Sequence, residues 1–254
     1  MQEAMTNPPI LIFGATGAIG EASWRQINNG DGNIILSASK ESEKIKKLSG
    51  ELSAPYIICD LDKKFDSKKL TQQILKNSSI LGGLIISIAR PFPHKLIHNT
   101  DEEILKEQLS THIISFHRII RTCIPFLESA KKFCTHRIIY ISTEYLLGSP
   151  PTKIGPYLAA KSAANTYAKV LAKELLKKGI KVFILAPGMI RSRLTENLPE
   201  EYLVQIEKEL PNQRLTSANE IAEAAAAIIS GNLDGAYGNE IHISNAERRW
   251  LIKK

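Results

Sequence analysis

Tyr157 and Lys161 are the residues whose types and spacing most directly permit chemistry. They lie in GPYLAAKSAANTYAKVLAKEL, where apolar and small residues recur at three- and four-residue intervals and predict a long helix. Residues four apart share a helix face, so the phenol should lie beside the ammonium. A neighbouring cation favours the phenolate and would lower the tyrosine pKa from about 10 towards the range of efficient proton transfer. The pair is a candidate acid-base unit, although two solvated side chains are the commoner outcome of this spacing.

A glycine-rich segment near the start of the chain is typical of phosphate binding. In PPILIFGATGAIGEASWRQI, a short apolar run, a glycine loop and a helical pattern follow one another. We expect Gly14 to turn the chain off the strand, Gly17 to let the backbone approach a phosphate, and Gly20 to let the helix pack on the sheet. The helix N-terminus then offers free N–H groups to a pyrophosphate. The predicted cofactor contacts of this loop are Gly14, Thr16, Gly17, Ala18, Ile19 and Gly20.

The end of the second predicted strand, NIILSAS, bears on which dinucleotide binds. An acidic side chain at this position takes the ribose hydroxyls of NAD, whereas basic groups accept the 2′-phosphate of NADP. The run ends at Ser39 and Lys40 without an Asp or Glu. The sequence therefore favours NADP(H), with NAD(H) as the alternative.

Apolar runs alternate with helical patterns along the whole chain. This alternation predicts an α/β protein with a Rossmann-type doubly wound parallel β-sheet of about seven strands and helices on both faces. No internal repeat or linker divides it. We predict an N-terminal tail over residues 1–8 and a single domain over 9–254, with a substrate loop at about 189–213.

Composition argues against several other classes of protein, among which nucleic-acid binding remains a distant alternative. The chain has 254 residues, 43% hydrophobic content and a net charge of +7, but its lysines are scattered without interleaved aromatics, which argues against nucleic-acid binding. It has no apolar run long enough to span a bilayer and no secretory signal pattern. Its three cysteines lack the spacing of a zinc site or a disulfide framework. We expect a cytoplasmic protein without a metal site.

Taken in order, these motifs resemble the short-chain dehydrogenase/reductase family in its compact single-domain branch. The resemblance covers the chain from about Ile10 to Ser244. The motifs that carry it are the glycine loop from Gly14 to Gly20, Asp60 after the third strand, Ser87-Ile-Ala89-Arg90 after the fourth, Ser142-Thr143 after the fifth, Tyr157-x-x-x-Lys161, and Pro187-Gly188-Met-Ile190-Arg-Ser192 after the sixth.

The resemblance implies hydride exchange between NAD(P)(H) and a small carbonyl or alcohol substrate. Tyr157 would transfer the proton, and Lys161 would lower the Tyr157 pKa and hold the nicotinamide ribose. A hydroxyl after the fifth strand would hydrogen-bond the developing oxyanion. The resemblance also implies a homodimer or homotetramer. The remaining implied cofactor contacts are Asp60, Leu61, Ser87, Ala89, Pro187, Gly188, Ile190 and Ser192.

Several positions depart from the family pattern. The glycine loop reads GxxGxxG, where the compact branch has TGxxxGxG. Alignment of the strand RIIYIST selects Thr143 as the active hydroxyl, with Ser142 as the alternative. His112 stands where the family has an Asn that holds a water in a proton relay; it could serve as that polar group or be an ordinary helix residue. Arg90 replaces a Gly and could contact phosphate or substrate, or point to solvent.

Two classes of function are consistent with these residues. The first is an NADP(H)-dependent oxidoreductase. The second is a dinucleotide-binding sensor or scaffold of the same fold with reduced catalysis, which the changes at His112 and Arg90 suggest and the Tyr157/Lys161 pair opposes. Apolar residues of the substrate loop could form a lid for an apolar substrate or could be core packing; they are Leu194, Leu198, Tyr202, Leu203 and Ile206.

Overall fold

A parallel sheet forms the centre of the molecule. The computed structural model describes residues 7–28, 33–62, 65–130, 136–148 and 150–243. The described strands pair in parallel in the order β3-β2-β1-β4-β5-β6-β7, which confirms the predicted doubly wound sheet. They are β1 (Ile10–Phe13), β2 (Ile34–Ala38), β3 (Tyr56–Ile58), β4 (Gly83–Ile86), β5 (His136–Ile141), β6 (Ile180–Pro187) and β7 (Glu240–Ile243).

Helices cover both faces of this sheet. The helix predicted around Tyr157 is present as the 22-residue α6. The described helices are α1 (Ala18–Asn28), α2 (Glu43–Leu52), α3 (Ser67–Leu75), α4 (Glu102–Leu109), α5 (Ser115–Ser129), α6 (Gly155–Leu176), α7 (Glu200–Glu209) and α8 (Ala218–Ile229). Within the described ranges, none of them combines the length and apolar character that a membrane span requires.

The strands read as continuous apolar runs because each face of the sheet is buried. Along β1, Leu11 and Phe13 pack into one core with α3, α5 and α6, whereas Ile10 and Ile12 pack into the other with α1, α2 and α8. Successive side chains of a strand point to opposite faces, so a strand covered on both sides needs apolar residues at every position. The two cores fix the sheet between two helix layers.

Some predicted features lie outside the described residues. These are most of the predicted tail (residues 1–6), Cys134, and Ser244 at the end of the resemblance. The boundaries of the tail and of the substrate loop stay predictions.

Gly14 is the residue at which the chain leaves the sheet. Its φ is +79°, and a Cβ there would collide with the backbone carbonyl of Ser87, directly after β4. The neighbouring backbone bonds Ala15 N–H to Ser37 O (3.1 Å) and Ser87 N–H to Phe13 O (3.0 Å) hold the ends of β1, β2 and β4 together. A side chain is therefore excluded both by conformation and by space.

We expect Gly14→Ala to destabilise the fold by at least about 1–3 kcal/mol, because a left-handed conformation and a backbone clash add together. The matched control is Gly50→Ala in α2, where a Cβ would meet no atom within 4 Å. That change should stabilise by about 0.5–1 kcal/mol, since alanine loses less entropy in a helix. Denaturant unfolding of both variants measures the difference, and equal effects would contradict this explanation of Gly14.

Candidate active site

A cavity of about 980 Å³ opens at the carboxyl ends of the strands. It lies where the strand order reverses between β1 and β4, the position at which open α/β sheets form a ligand crevice. Every predicted catalytic and cofactor-binding residue lines it except Gly20 and His112. Gly20 instead packs the first turn of α1 on the glycine loop, because a Cβ there would collide with the Gly14 carbonyl.

Ser39 and Lys40 form the wall of the cavity at the end of β2, as predicted. Two residues that sequence reasoning missed line the same wall, Lys44 on α2 and Glu21 on α1. Lys44 Nζ lies 2.8 Å from a carboxylate oxygen of Glu21. This ion pair links the two helices beside the predicted 2′-phosphate position.

The loop after β3, which contains Asp60 and Leu61, is held from below by α5. Ser115 Oγ donates to Leu61 O at 3.0 Å, and Arg118 donates to the carbonyls of Leu61 and Asp62 at 2.6 and 2.7 Å. Asp60 accepts a hydrogen bond from the Asp62 N–H at 2.9 Å. The loop that carries the predicted adenine contact Asp60 is thus fixed by hydrogen bonds from α5 and within the loop.

Arg90 neither points to solvent nor stands free for a phosphate or substrate. Its guanidinium bonds Asp62 and Glu107 at 2.8 Å each, and its Nε bonds the Thr111 hydroxyl at 3.2 Å. Asp62 also accepts from Ser110 Oγ at 2.5 Å. Arg90 therefore joins the end of β4 to the loop after β3 and to α4, and its charge is compensated within the protein.

The phenol of Tyr157 is buried at the cavity wall, with 3% of the residue exposed. Burial raises its pKa, and a hydrogen bond with the Thr143 side chain opposes that rise. The prediction that its pKa lies below the usual value is therefore wrong for this structure, because loss of water favours the neutral phenol. The same hydrogen bond places Thr143 beside Tyr157. Ser142 Oγ is buried without a partner among the described residues.

Lys161 lies at the floor of the cavity, and its residue is 2% exposed. Its Nζ donates to Ile141 O at 2.7 Å and lies 5.0 Å from the ring centroid of Tyr140 and 5.9 Å from that of Tyr157. Burial lowers the pKa of Lys161 to about 7. The amine is thus adjacent to the Tyr157 ring, as its spacing predicted, but is itself only partly charged near neutral pH.

His112 is buried directly behind Tyr157. It lies in a π-helical turn at Ser110–Ile114, which joins α4 to α5. The His112 ring meets the Tyr157 ring edge to face at 5.3 Å. Neither ring nitrogen has a hydrogen-bond partner among the described residues. Burial, and to a lesser degree Lys161 and Arg90, lowers its pKa, so the imidazole is neutral at pH 7.

Phe92 covers Tyr157 from the cavity side and was missed by sequence reasoning. Its ring packs edge to face on the phenol ring, with centroids 4.8 Å apart. Phe92 belongs to the segment PFPHKLIHNT, which follows β4. Tyr145 also lines this part of the cavity, close to the predicted hydroxyl pair. Tyr157 is therefore enclosed by aromatic rings on two sides.

The predicted apolar lid is only partly formed by the residues named for it. Leu194 lines the cavity. Leu203 is 5% exposed and belongs to the packing of α7, whereas Tyr202 is 42% exposed. Polar contacts hold α7 to this loop. Arg191 donates hydrogen bonds to both carboxylate oxygens of Glu200 at 2.8 Å and to one of Glu207 at 3.3 Å.

The arrangement can donate a proton to a carbonyl oxygen beside the phenol. A neutral phenol, an adjacent hydroxyl and a buried amine converge where the glycine loop and the ends of β4, β5 and β6 enclose an elongated space. Such a set suits transfer of a proton coupled to a reaction at the neighbouring carbon.

Comparisons with known proteins agree with this geometry. A family model described as "Enoyl-(Acyl carrier protein) reductase" matches residues 14–245. The 3-oxoacyl-[acyl-carrier-protein] reductase FabG of Rickettsia bellii is 29% identical over 94% of this chain and 96% of its own. Dehydrogenase/reductase SDR family member 4 of Mus musculus is 30% identical over 78% of this chain and 71% of its own.

Two solved structures share the fold. The RhlG/NADP complex of Pseudomonas aeruginosa superposes with a TM-score of 0.83 at 21% identity, covering 93% of this chain and 95% of that one. The enoyl-[acyl-carrier-protein] reductase (NADH) of Aquifex aeolicus gives 0.85 at 14% identity, covering 95% and 96%. With the matched family model and the curated relatives, the conclusion is that this chain belongs to the short-chain dehydrogenase/reductase family.

Proposed function

We propose that the protein is an NADP(H)-dependent oxidoreductase that interconverts a carbonyl and an alcohol in a small molecule, with Tyr157 transferring the proton. The observation that carries this proposal is the meeting of Tyr157, Thr143 and Lys161 at one wall of a cavity that begins at a glycine loop. The names of the curated relatives, which specify reduction of a 3-oxoacyl group, support carbonyl reduction as the direction.

The residues present suit a nicotinamide dinucleotide. The cavity volume lies at the upper end of the range of about 300–1,000 Å³ typical of cofactor sites. Ala18 and Ile19 lie in the first turn of α1, whose N–H groups lack partners within the helix and suit a pyrophosphate. Ser39 and Lys40 bring a hydroxyl and an ammonium to the ribose position, which suits a 2′-phosphate. When bound, the dinucleotide would supply or accept the hydride.

The protein's own part of the reaction is the proton. The raised pKa of Tyr157 keeps the phenol protonated at neutral pH, which is the form that donates to a carbonyl oxygen. Thr143, hydrogen-bonded to that phenol, would donate to the same developing oxyanion. Lys161, whose pKa is about 7, would stabilise the resulting phenolate in its charged form. The neutral His112 ring behind Tyr157 would accept a hydrogen bond from a water molecule in the path that returns the proton to Tyr157.

Two residues, His112 and Arg90, suggested the alternative of a sensor or scaffold with reduced catalysis, and the structure removes the argument from Arg90. Arg90 was a reason to expect a damaged cofactor site, yet its charge is bound by Asp62 and Glu107. The predicted homodimer or homotetramer and the cytoplasmic location stay predictions.

NADPH should bind more tightly than NADH, because Lys40 offers a cation and the two residues directly after β2, Ser39 and Lys40, include no carboxylate. Fluorescence titration of the purified protein with both dinucleotides measures this. Lys40→Ala should narrow the preference by about tenfold, the usual weight of one charge-assisted hydrogen bond. Lys47→Ala, an exposed lysine of α2 outside the cavity, is the control. A clear preference for NADH would overturn the assignment of NADP(H) but would not contradict the proposed oxidoreductase activity.

Tyr157→Phe should abolish carbonyl reduction, with a loss of at least about 100-fold in kcat, while NADPH affinity changes little. The variant removes one oxygen and keeps the ring contacts with Phe92 and His112. Steady-state kinetics with NADPH and a panel of small ketones provides the measurement, and unchanged turnover would exclude Tyr157 as proton donor.

A matched pair of hydroxyl deletions is the control for that result. Thr143→Ala should lower kcat, since the Thr143 hydroxyl is hydrogen-bonded to the phenol. Ser142→Ala should lower kcat less. The reverse order would transfer the role to Ser142.

Folding stability should rise with pH between about 7 and 10.5 through Lys161. Its pKa is about 7 in the folded protein against an ordinary value of 10.5. Between these values the unfolded chain binds a proton that the folded chain does not, so raising the pH favours folding. Lys161→Met should remove up to about 1.4 kcal/mol per pH unit of this slope. Denaturant unfolding from pH 6 to 10 tests it, with the exposed Lys173→Met of the same helix as control; an unchanged slope for Lys161→Met would contradict the lowered pKa.

A further inference from the structure

The charged side chains around the cavity are mostly paired with one another. Glu21 pairs with Lys44, and Asp62 pairs with Arg90. Among the described lining residues, Lys40 and Arg193 are the cationic side chains with neither an ion pair nor a hydrogen bond to the protein. Lys40 belongs to the proposed 2′-phosphate position. Arg193 has no role in the proposed function so far.

Arg193 and Lys40 belong to loops that leave the sheet at different strands. Arg193 follows β6, whereas Lys40 follows β2, and four strand spacings of about 4.8 Å, or roughly 19 Å, separate these strands. The chain before Arg193 is instead adjacent to the proposed catalytic hydroxyls, because Ser142 N–H donates to Leu185 O of β6 at 2.6 Å. Arg193 therefore lines the cavity from the loop after β6, the strand that lies beside these hydroxyls.

The backbone that carries Arg193 is ordered by its neighbours. Thr195 Oγ1 accepts from the Ser192 N–H at 3.0 Å and donates to Ile190 O at 3.0 Å. Ser192 Oγ accepts from the Leu194 N–H at 3.2 Å. The turn thus fixes the position of the Arg193 backbone without using its guanidinium.

The two arginines of this loop are used differently. Arg191 holds α7 through Glu200 and Glu207, so its guanidinium is fully committed to the fold. Arg193 lines the cavity, and its side chain is exposed there beside Leu194. Carboxylates that line the cavity are Glu21, Asp60 and Asp62, on or after β1 and β3 rather than at this end. A guanidinium with five donors therefore lines the cavity on the loop after β6 without an ion pair or a hydrogen bond among the described residues.

From this geometry we infer that Arg193 binds an anionic group of the substrate, a carboxylate or a phosphate, and so selects charged carbonyl compounds over neutral ones. The inference rests on the proposed function. A guanidinium suits both groups because it makes two parallel hydrogen bonds to a pair of oxygens. Leu194 and Phe92 would contact the apolar part of the same molecule between the anion and the carbonyl.

Pairs of ketones in which one member is anionic and the other neutral test the inference. Acetoacetate and its methyl ester form the carboxylate pair. Acetoacetyl-coenzyme A and the acetoacetyl thioester of N-acetylcysteamine form the phosphate pair. With NADPH, the wild type should reduce the anionic member of one pair more efficiently, and the pair that responds identifies the group. In Arg193→Ala, KM for that member should rise about 10–100-fold while kcat and the neutral member change little.

Two further variants separate charge from fold. Arg193→Lys should restore part of the discrimination, because it keeps the charge and loses the paired geometry. Lys76→Ala, at the C-terminal end of α3, removes one positive charge from a residue that does not line the cavity. This variant should leave the discrimination between anionic and neutral ketones intact. The thermal midpoint of unfolding should be unchanged in every variant.

Three outcomes would overturn the inference. Equal efficiency of the wild type on both members of each pair would refute it and leave the reductase standing. A weaker NADPH affinity of Arg193→Ala with unchanged discrimination would assign Arg193 to the cofactor's phosphates. NADPH binding without reduction of any of the four ketones would count against the proposed function itself, and the inference would fail with it.

Discussion

The hydrogen bond from Lys161 Nζ to Ile141 O ties α6 to the end of β5 at the floor of the cavity. Lys161 is 2% exposed, and burying its amine is costly unless the amine has a polar partner. The carbonyl at the end of the strand is that partner. Tyr157 lies one turn earlier on α6, so this anchor also sets where the phenol meets the cavity. The site thus depends on a helix that is fixed to the sheet by a polar bond rather than by apolar packing alone.

The π-helical turn between α4 and α5 is a second organising feature. On one side, Ser110 and Ser115 bond the loop after β3, where the predicted adenine contact Asp60 lies. On the other side, His112 packs against Tyr157. One irregular turn therefore contacts both the loop that carries the predicted adenine contact and Tyr157, the proposed proton donor. Irregular turns of this kind are frequent at functional sites because they present side chains that a regular helix would direct elsewhere.

The sequence predicted the sheet and the position of the cavity well, because both follow from local patterns. Apolar runs mark strands buried on both faces, and the glycine spacing and the Tyr157/Lys161 spacing are local too. It did not predict the partners of Arg90, since Asp62 and Glu107 lie 28 and 17 residues away and meet it only in the fold. The prediction of a lowered Tyr157 pKa was wrong for the same reason, because burial depends on the tertiary structure. Phe92 gave no period or motif that would place its ring on the phenol.

The aromatic enclosure of Tyr157 has a consequence for the handedness of the product. Phe92 and His112 meet the phenol ring edge to face at 4.8 and 5.3 Å, so the ring has little freedom to turn. In the proposed reaction the carbonyl oxygen must lie at one point beside that hydroxyl, and its two substituents must then occupy different walls of the cavity. Hydride delivered from the cofactor side would reach a single face of the carbonyl, so the alcohol formed would be one enantiomer.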